Sequence, residues 1–258
     1  MDITHAIILA VIEGITEFLP VSSTGHMIIA SHLLKIPDAE FVKTFEIAIQ
    51  LGAIGAVFSM YWRVFLLDWE VGRRLLAAFV PTAVIGFVLY KSIKHYLLGN
   101  VMVVVWSLFF GGAIIILFEL YDRPKKDQIQ KLAQISYLQA VVIGLFQALA
   151  VIPGVSRSAA TIIGGMCLGV SRKTIVEFSF LLAVPTMVAA TAYDLLKTQA
   201  DLTAKEWGVL AVGFIVAFAV AYLSVRFLMH YVQKHNLIPF GVYRVIAGVI
   251  FLILFSLH

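Results

Sequence analysis

Glu13-Gly-Ile-Thr-Glu17-Phe-Leu-Pro20-Val-Ser22-Ser23-Thr24-Gly25-His26 decides how this chain is read, together with Pro153-Gly-Val-Ser156-Arg157-Ser158-Ala-Ala-Thr161. Each stretch lies within apolar sequence, yet each carries ionisable groups and a proline break. An ionisable side chain at membrane depth costs about 3 kcal/mol on insertion scales, so it reads first as functional. Two such stretches in one chain predict a polar site built inside a bilayer.

Composition supports that frame. The chain has 258 residues, 61% of them hydrophobic and 13% charged, with a mean hydropathy of +0.98. These values exclude an ordinary soluble domain and point to an all-α polytopic membrane protein. No basic segment precedes the first apolar run, since the chain opens Met1-Asp-Ile-Thr-His5, and no cleavable signal is expected. The single cysteine, Cys167, excludes an intramolecular disulfide and a cysteine-based metal cage, and is expected to pack as a small core residue. The basic run at 123–131 reads as a membrane-flanking loop, so no nucleic-acid partner is expected.

Outward from the first stretch, the apolar runs at 3–19 and 27–34 are each shorter than the ~20 residues a spanning helix needs. Hinged at Pro20, they predict a re-entrant helical hairpin. Spans are predicted at 41–61, 75–90 and 101–120, and the polar stretch 121–134 divides the chain. The second half repeats the plan: short runs at 137–152 and 159–168 hinged at Pro153, then spans at 173–195, 207–227 and 240–257. Gly14-Ile-Thr-Glu17-Phe-Leu-Pro20-Val-Ser22 aligns with Gly144-Leu-Phe-Gln147-Ala-Leu and, after an insertion, Pro153-Gly-Val-Ser156; Phe45 and Phe178 follow at similar offsets. One integral membrane domain is therefore expected, with repeat one at about 1–121 and repeat two at about 135–258. Three spans per repeat invert the second repeat relative to the first, and the broken helices of such repeats meet near the midplane.

Lysine and arginine set the orientation. The connections at 62–74, 121–134, 169–173 and 226–240 carry more of them than the opposite face does. The positive-inside rule then puts these connections in the cytoplasm, and the termini and first hairpin outside.

The chemistry of the two tips differs. Glu13 and Glu17 are four residues apart and share a helix face. Two carboxylates so placed suit a hard cation, Mg²⁺ or Ca²⁺. Ser22, Ser23 and Thr24 offer N-cap chemistry, and Ser22 or Ser23 stands three or four residues from His26, a spacing that brings a hydroxyl toward an imidazole. At the second tip, Ser156, Arg157 and Ser158 open a half-helix, with Thr161 on the same side. A helix N-terminus with an arginine fork suits phosphoryl oxygens. Repeat two has Ile143 and Gln147 where repeat one has Glu13 and Glu17, and repeat one has Ser22 or Ser23 where repeat two has Arg157. One hairpin thus brings anions and the other a cation, a pairing suited to metal-assisted phosphoryl transfer.

Glu13-x-x-x-Glu17, the run from Glu17 to His26, and Pro153-Gly-x-Ser156-Arg157-Ser158-x-x-Thr161 resemble the signatures of the bacterial undecaprenyl-diphosphate phosphatases, also called bacitracin-resistance proteins. The resemblance covers the whole chain in length and segment order. It implies a divalent-cation-dependent enzyme of the bacterial cytoplasmic membrane, with an outward-facing site. That enzyme removes the terminal phosphate of undecaprenyl diphosphate and recycles the lipid carrier of cell-wall synthesis. By motif, Glu13 and Glu17 would serve metal and water or substrate; Arg157 would hold the diphosphate, supported by Ser156, Ser158, Thr161, Ser22 and Thr24; Ser23 or His26 would carry the attack, Ser23 as nucleophile or phosphate contact and His26 as acid/base. The expected partners are the lipid diphosphate and membrane lipid, with a homodimer left open. A lipid-phosphate flippase or secondary transporter is the alternative, since inverted repeats with broken helices are transporter architecture.

Overall fold

The computed structural model describes residues 1–37, 39–92, 97, 100–121, 128–195 and 202–256. The polar run 122–127 and the loop lysines Lys94 and Lys197 lie outside the described residues. Among the described residues ten α-helices follow in order: α1 (Ile3–Thr16), α2 (Ser23–Leu33), α3 (Glu40–Leu67), α4 (Trp69–Ser92), α5 (Val101–Tyr121), α6 (Tyr137–Ala148), α7 (Arg157–Cys167), α8 (Arg172–Leu195), α9 (Ala204–Tyr231) and α10 (Ile238–Ser256). Six of them are long and apolar enough to cross a membrane. The other four have 14, 11, 12 and 11 residues. At 1.5 Å per residue each reaches about 16–21 Å, short of a hydrocarbon core of about 30 Å. They pair as two helical hairpins, α1 on α2 and α6 on α7, each followed by three spans. The protein is a multi-pass membrane protein.

The two halves interlock by exchange: α1 packs on α9, and α6 on α4. Matched glycines make both contacts close. A Cβ on Gly14 would press on Ala217 and Ala221 backbone of α9, and one on Gly144 on the Ala78 backbone of α4. The aligned phenylalanines Phe45 and Phe178 are both fully buried, in the equivalent helices α3 and α8. The α5–α10 pair packs along its length where a Cβ on Gly112 would meet Gly241 O.

Two expectations are corrected. The connection placed at 62–74 shrinks to Asp68, because α3 runs on to Leu67 and α4 begins at Trp69. Asp68 makes that turn by accepting from Val71 N at 3.1 Å through its carboxylate, as an N-cap does. Cys167 is exposed: the face α7 buries runs through Ser158, Thr161, Ile162 and Gly165, and Cys167 closes the helix off that face. The tryptophans Trp62, Trp69, Trp106 and Trp207 are all exposed, as an interfacial belt requires.

Candidate active site at the hairpin tips

Each hairpin turns at a serine. Ser22 and Ser156 are the N-caps of α2 and α7, with φ of 75° and 72°. Their hydroxyls accept from Gly25 N and Ala159 N. Positive φ in a residue with a side chain is sparsely populated and costs of order 1–3 kcal/mol, so it persists only where surrounding contacts dictate it. The identical geometry sets the repeat register: Ser22 matches Ser156, so Ser23 matches Arg157. This settles which serine stands opposite the arginine.

Ser23 is therefore the first helical residue of α2 and Arg157 the first of α7. Glu17, the C-cap of α1, holds both. The Ser23 hydroxyl donates to Glu17 Oε2 at 2.5 Å, and Arg157 Nη2 donates to Glu17 Oε1 at 3.1 Å. The pair is nearly enclosed, with side chains 12% and 7% exposed. Two helix N-termini, each carrying partial positive charge and free N–H groups, thus converge on one carboxylate. That is a site prepared for an anion.

The remaining Arg157 contacts lock its direction. Its Nη1 donates to Ser179 O at 3.1 Å, and its guanidinium lies 5.9 Å from the Phe18 ring centre. Ser158 donates to Leu19 O at 2.9 Å, joining one tip directly to the other, and contacts the Ser156 hydroxyl at 3.2 Å. The Thr161 hydroxyl is shared among Arg157 O, Ser158 O and the Ser179 hydroxyl. Ser22, Ser156, Ser158 and Thr161 are buried and tied to the scaffold, whereas Thr24 is exposed on the first turn of α2.

Glu13 is 1% exposed, one turn before Glu17, and its Oε1 has no hydrogen-bond partner. Its charged neighbours are Glu17, Glu46 and Arg157. Among the described residues no three His, Cys, Asp or Glu side chains converge as a metal cage. The carboxylate of Glu13, with its orphaned Oε1, and that of Glu17 one turn on fit the lighter ligation of a hard divalent ion, which takes its remaining ligands from water and phosphate.

His26 stands differently from its expectation. No bond joins its ring to the Ser22 or Ser23 hydroxyl among the described contacts. Nδ1 meets Ser22 O at 2.7 Å and Nε2 meets Tyr243 Oη at 2.6 Å. A carbonyl only accepts, so Nδ1 carries a proton, while Nε2 and the tyrosine hydroxyl share the second bond. The helical spacing does bring the imidazole back over Ser22, but it reaches the backbone oxygen.

Sequence reading missed Tyr243 and Arg244 of α10. Arg244 is fully buried and donates to Pro20 O, Gly154 O, Val155 O, Ser107 O and Leu108 O at 2.9–3.4 Å. An arginine inside the apolar run 240–257 was itself the signal, by the same rule that singled out Arg157.

Fold and site together define a class: a polytopic membrane protein in which two hairpin tips join a serine, a carboxylate and an arginine in an enclosed site. The chain matches the family model described as "Bacitracin resistance protein BacA" over residues 6–250, and it belongs to that family. It is 48% identical to the undecaprenyl-diphosphatase of Aquifex aeolicus (strain VF5) over 247 residues, 96% of each chain. It is 49% identical to that of Sulfurihydrogenibium sp. (strain YO3AOP1) over 251 residues, 97% of this chain and 98% of the relative. A third relative of that name, from Bdellovibrio bacteriovorus, is 49% identical over 254 residues, 98% of this chain and 96% of the relative.

Proposed function

We infer that the chain is an undecaprenyl-diphosphate phosphatase, hydrolysing the terminal phosphate of the isoprenoid diphosphate to undecaprenyl phosphate and inorganic phosphate. This recycles the lipid carrier of cell-wall synthesis and underlies bacitracin resistance. The observation that carries the reading is the single carboxylate of Glu17 joining Ser23 and Arg157, the first residues of two opposed half-helices. Transport of a phosphate needs the arginine but gives no role to a serine hydroxyl aimed at a carboxylate, and the relatives' names agree with hydrolysis.

Arg157 binds the diphosphate with the guanidinium N–H groups that Glu17 and Ser179 leave over, aided by the two helix N-termini. Ser23 attacks the terminal phosphorus through Oγ. The P–O bond to undecaprenyl phosphate breaks, that lipid leaves with the bridging oxygen, and the Ser23 proton passes to Glu17. Water then cleaves the phosphoserine: its oxygen bonds to phosphorus as the P–Oγ bond breaks, Glu17 returns the proton to Ser23 Oγ, and inorganic phosphate leaves. His26, held by Ser22 O and Tyr243, is the acid/base: its Nε2 takes the attacking water's proton and hands it to the departing inorganic phosphate. Glu13 and Glu17 would hold a divalent cation, Mg²⁺ or Ca²⁺, which neutralises diphosphate charge. The charge distribution supports a site that opens to the outside of the cytoplasmic membrane.

The test is phosphate release from undecaprenyl diphosphate by purified protein in detergent, with Mg²⁺ or Ca²⁺ and again with chelator. Release that chelator stops and Glu17→Gln abolishes is expected. Release indifferent to chelator would remove the metal from the reading, and no release from folded protein would remove the phosphatase.

A further inference from the structure

We infer that Arg244 is a positioning residue that fastens the two hairpin hinges into one site; for its effect on turnover this rests on the phosphatase reading above. Breaking a helix at membrane depth leaves carbonyl oxygens without helical partners, and no water is there to satisfy them. In hinge one Pro20 O is such a group, and in hinge two Gly154 O and Val155 O are. Arg244 donates to all three, at 3.3, 2.9 and 3.0 Å. Only a planar guanidinium, with five donors in a fixed fork, can serve carbonyls on two hinges at once. An ammonium with three donors on a flexible stem cannot span them.

The rest of the fork anchors to a span. Arg244 donates to Ser107 O at 3.0 Å and Leu108 O at 3.4 Å on α5. The sequence around it is shaped for this. A Cβ on Gly111 would collide with the guanidinium, and a Cβ on Gly154, where φ is +92°, would strike the α5 backbone at Val104. Gly111 therefore leaves the space that the fork fills, and Gly154 lets hinge two lie against α5. Arg244 is 0% exposed, and its partners are carbonyls of three different segments, so its charge is spent on main chain. Its partner Pro20 lies two residues before the capping Ser22, and Arg244 itself follows Tyr243, which holds His26. Fixing Pro20 fixes the frame of Glu17 and Ser23; fixing Gly154 and Val155 fixes the frame of Ser156 and Arg157.

The experiment uses full-length protein in a Cys167→Ser background with Leu19→Cys and Ser158→Cys, because Ser158 Oγ lies 2.9 Å from Leu19 O across the two tips. Cross-linking by a short thiol reagent reports hinge apposition without reference to activity. Turnover and KM are measured in the matched protein with Ser158 and Leu19 intact. Arg244→Lys, and independently Gly111→Ala, which displaces the fork but keeps the arginine, should each slow cross-linking at least several-fold. Both should lower kcat by about a hundred-fold, the cost of a misplacement near 1 Å, with KM changed far less. Gly111→Ala carries the test if Arg244→Lys yields no folded protein. Unchanged cross-linking in a folded variant, or slowed cross-linking with full turnover, would overturn the role. Loss of phosphatase activity in the parent protein, with cross-linking still sensitive to Arg244, would instead count against the phosphatase reading alone.

Discussion

Arg157 and Glu17 neutralise one another across the gap between the hairpins, and both stand in a site from which water is largely excluded. Removing one partner of a buried pair leaves the other charge uncompensated, at about 3–5 kcal/mol. Arg157→Ala should therefore abolish phosphate release and also lower the thermal midpoint, whereas Arg157→Lys should retain more stability than activity, because it keeps charge but loses the fork. Ser23→Ala should reduce release by at least about a hundred-fold and eliminate any acid-stable phosphoenzyme trapped with radiolabelled substrate. Release that survives Ser23→Ala at near wild-type rate would point to direct attack by water. Glu17, Ser23 and Arg157 were legible as candidates because charges and a Pro-Ser break inside apolar sequence are costly to keep. Their mutual contacts were not legible, since residues 17 and 157 meet only when two hairpins dock. His26 illustrates the limit: sequence spacing put it near the serines, while its Nε2 partner, Tyr243, comes from the last helix.

At the scale of elements, the hairpins were written in run lengths. Apolar segments too short to span and interrupted by Pro20 and Pro153 had to turn back, and α1–α2 and α6–α7 do. What run lengths did not reveal is the positive φ at Ser22 and Ser156. That geometry predicts an inverted order of substitution cost. Ser156→Gly gives up the cap, worth a few tenths to about 1 kcal/mol, but relieves backbone strain. Ser156→Ala gives up the cap and keeps the strain. Scanned at one rate in detergent, Ser156→Ala should unfold at a lower temperature than Ser156→Gly; the reverse order would mean that the cap alone matters. The Asp68 turn was hidden for a different reason, because α3 and α4 run on past the ends of their apolar stretches, and the hydropathy pattern marks only those ends.

For the whole molecule, two odd-numbered repeats interlock by exchanging hairpin contacts, α1 onto α9 and α6 onto α4. Gly144 sits where α6 meets the Ala78 carbonyl. Gly144→Val should prise hairpin two from α4 and lower both stability and turnover, measured as thermal midpoint and phosphate release; an unaffected protein would show that this interface yields cheaply. The proposed orientation has its own check. In a Cys167→Ser background, a membrane-impermeant thiol reagent on intact cells should label Thr4→Cys and spare Lys234→Cys, and labelling of the second alone would reverse the orientation.

By itself the sequence determined the fold class, the repeat, the short helices and the chemical character of each tip, because these follow from local hydropathy, proline breaks and the cost of charge in a bilayer. It also supplied the motifs by which the family is recognised. Only the tertiary structure decided that Glu17 joins Ser23 to Arg157, that His26 turns to Tyr243, and that Arg244 gathers carbonyls from both hinges. Those outcomes depend on which surfaces meet when the repeats interlock, and close packing at Gly14, Gly144 and Gly111 selects among contacts that local pattern leaves equally open.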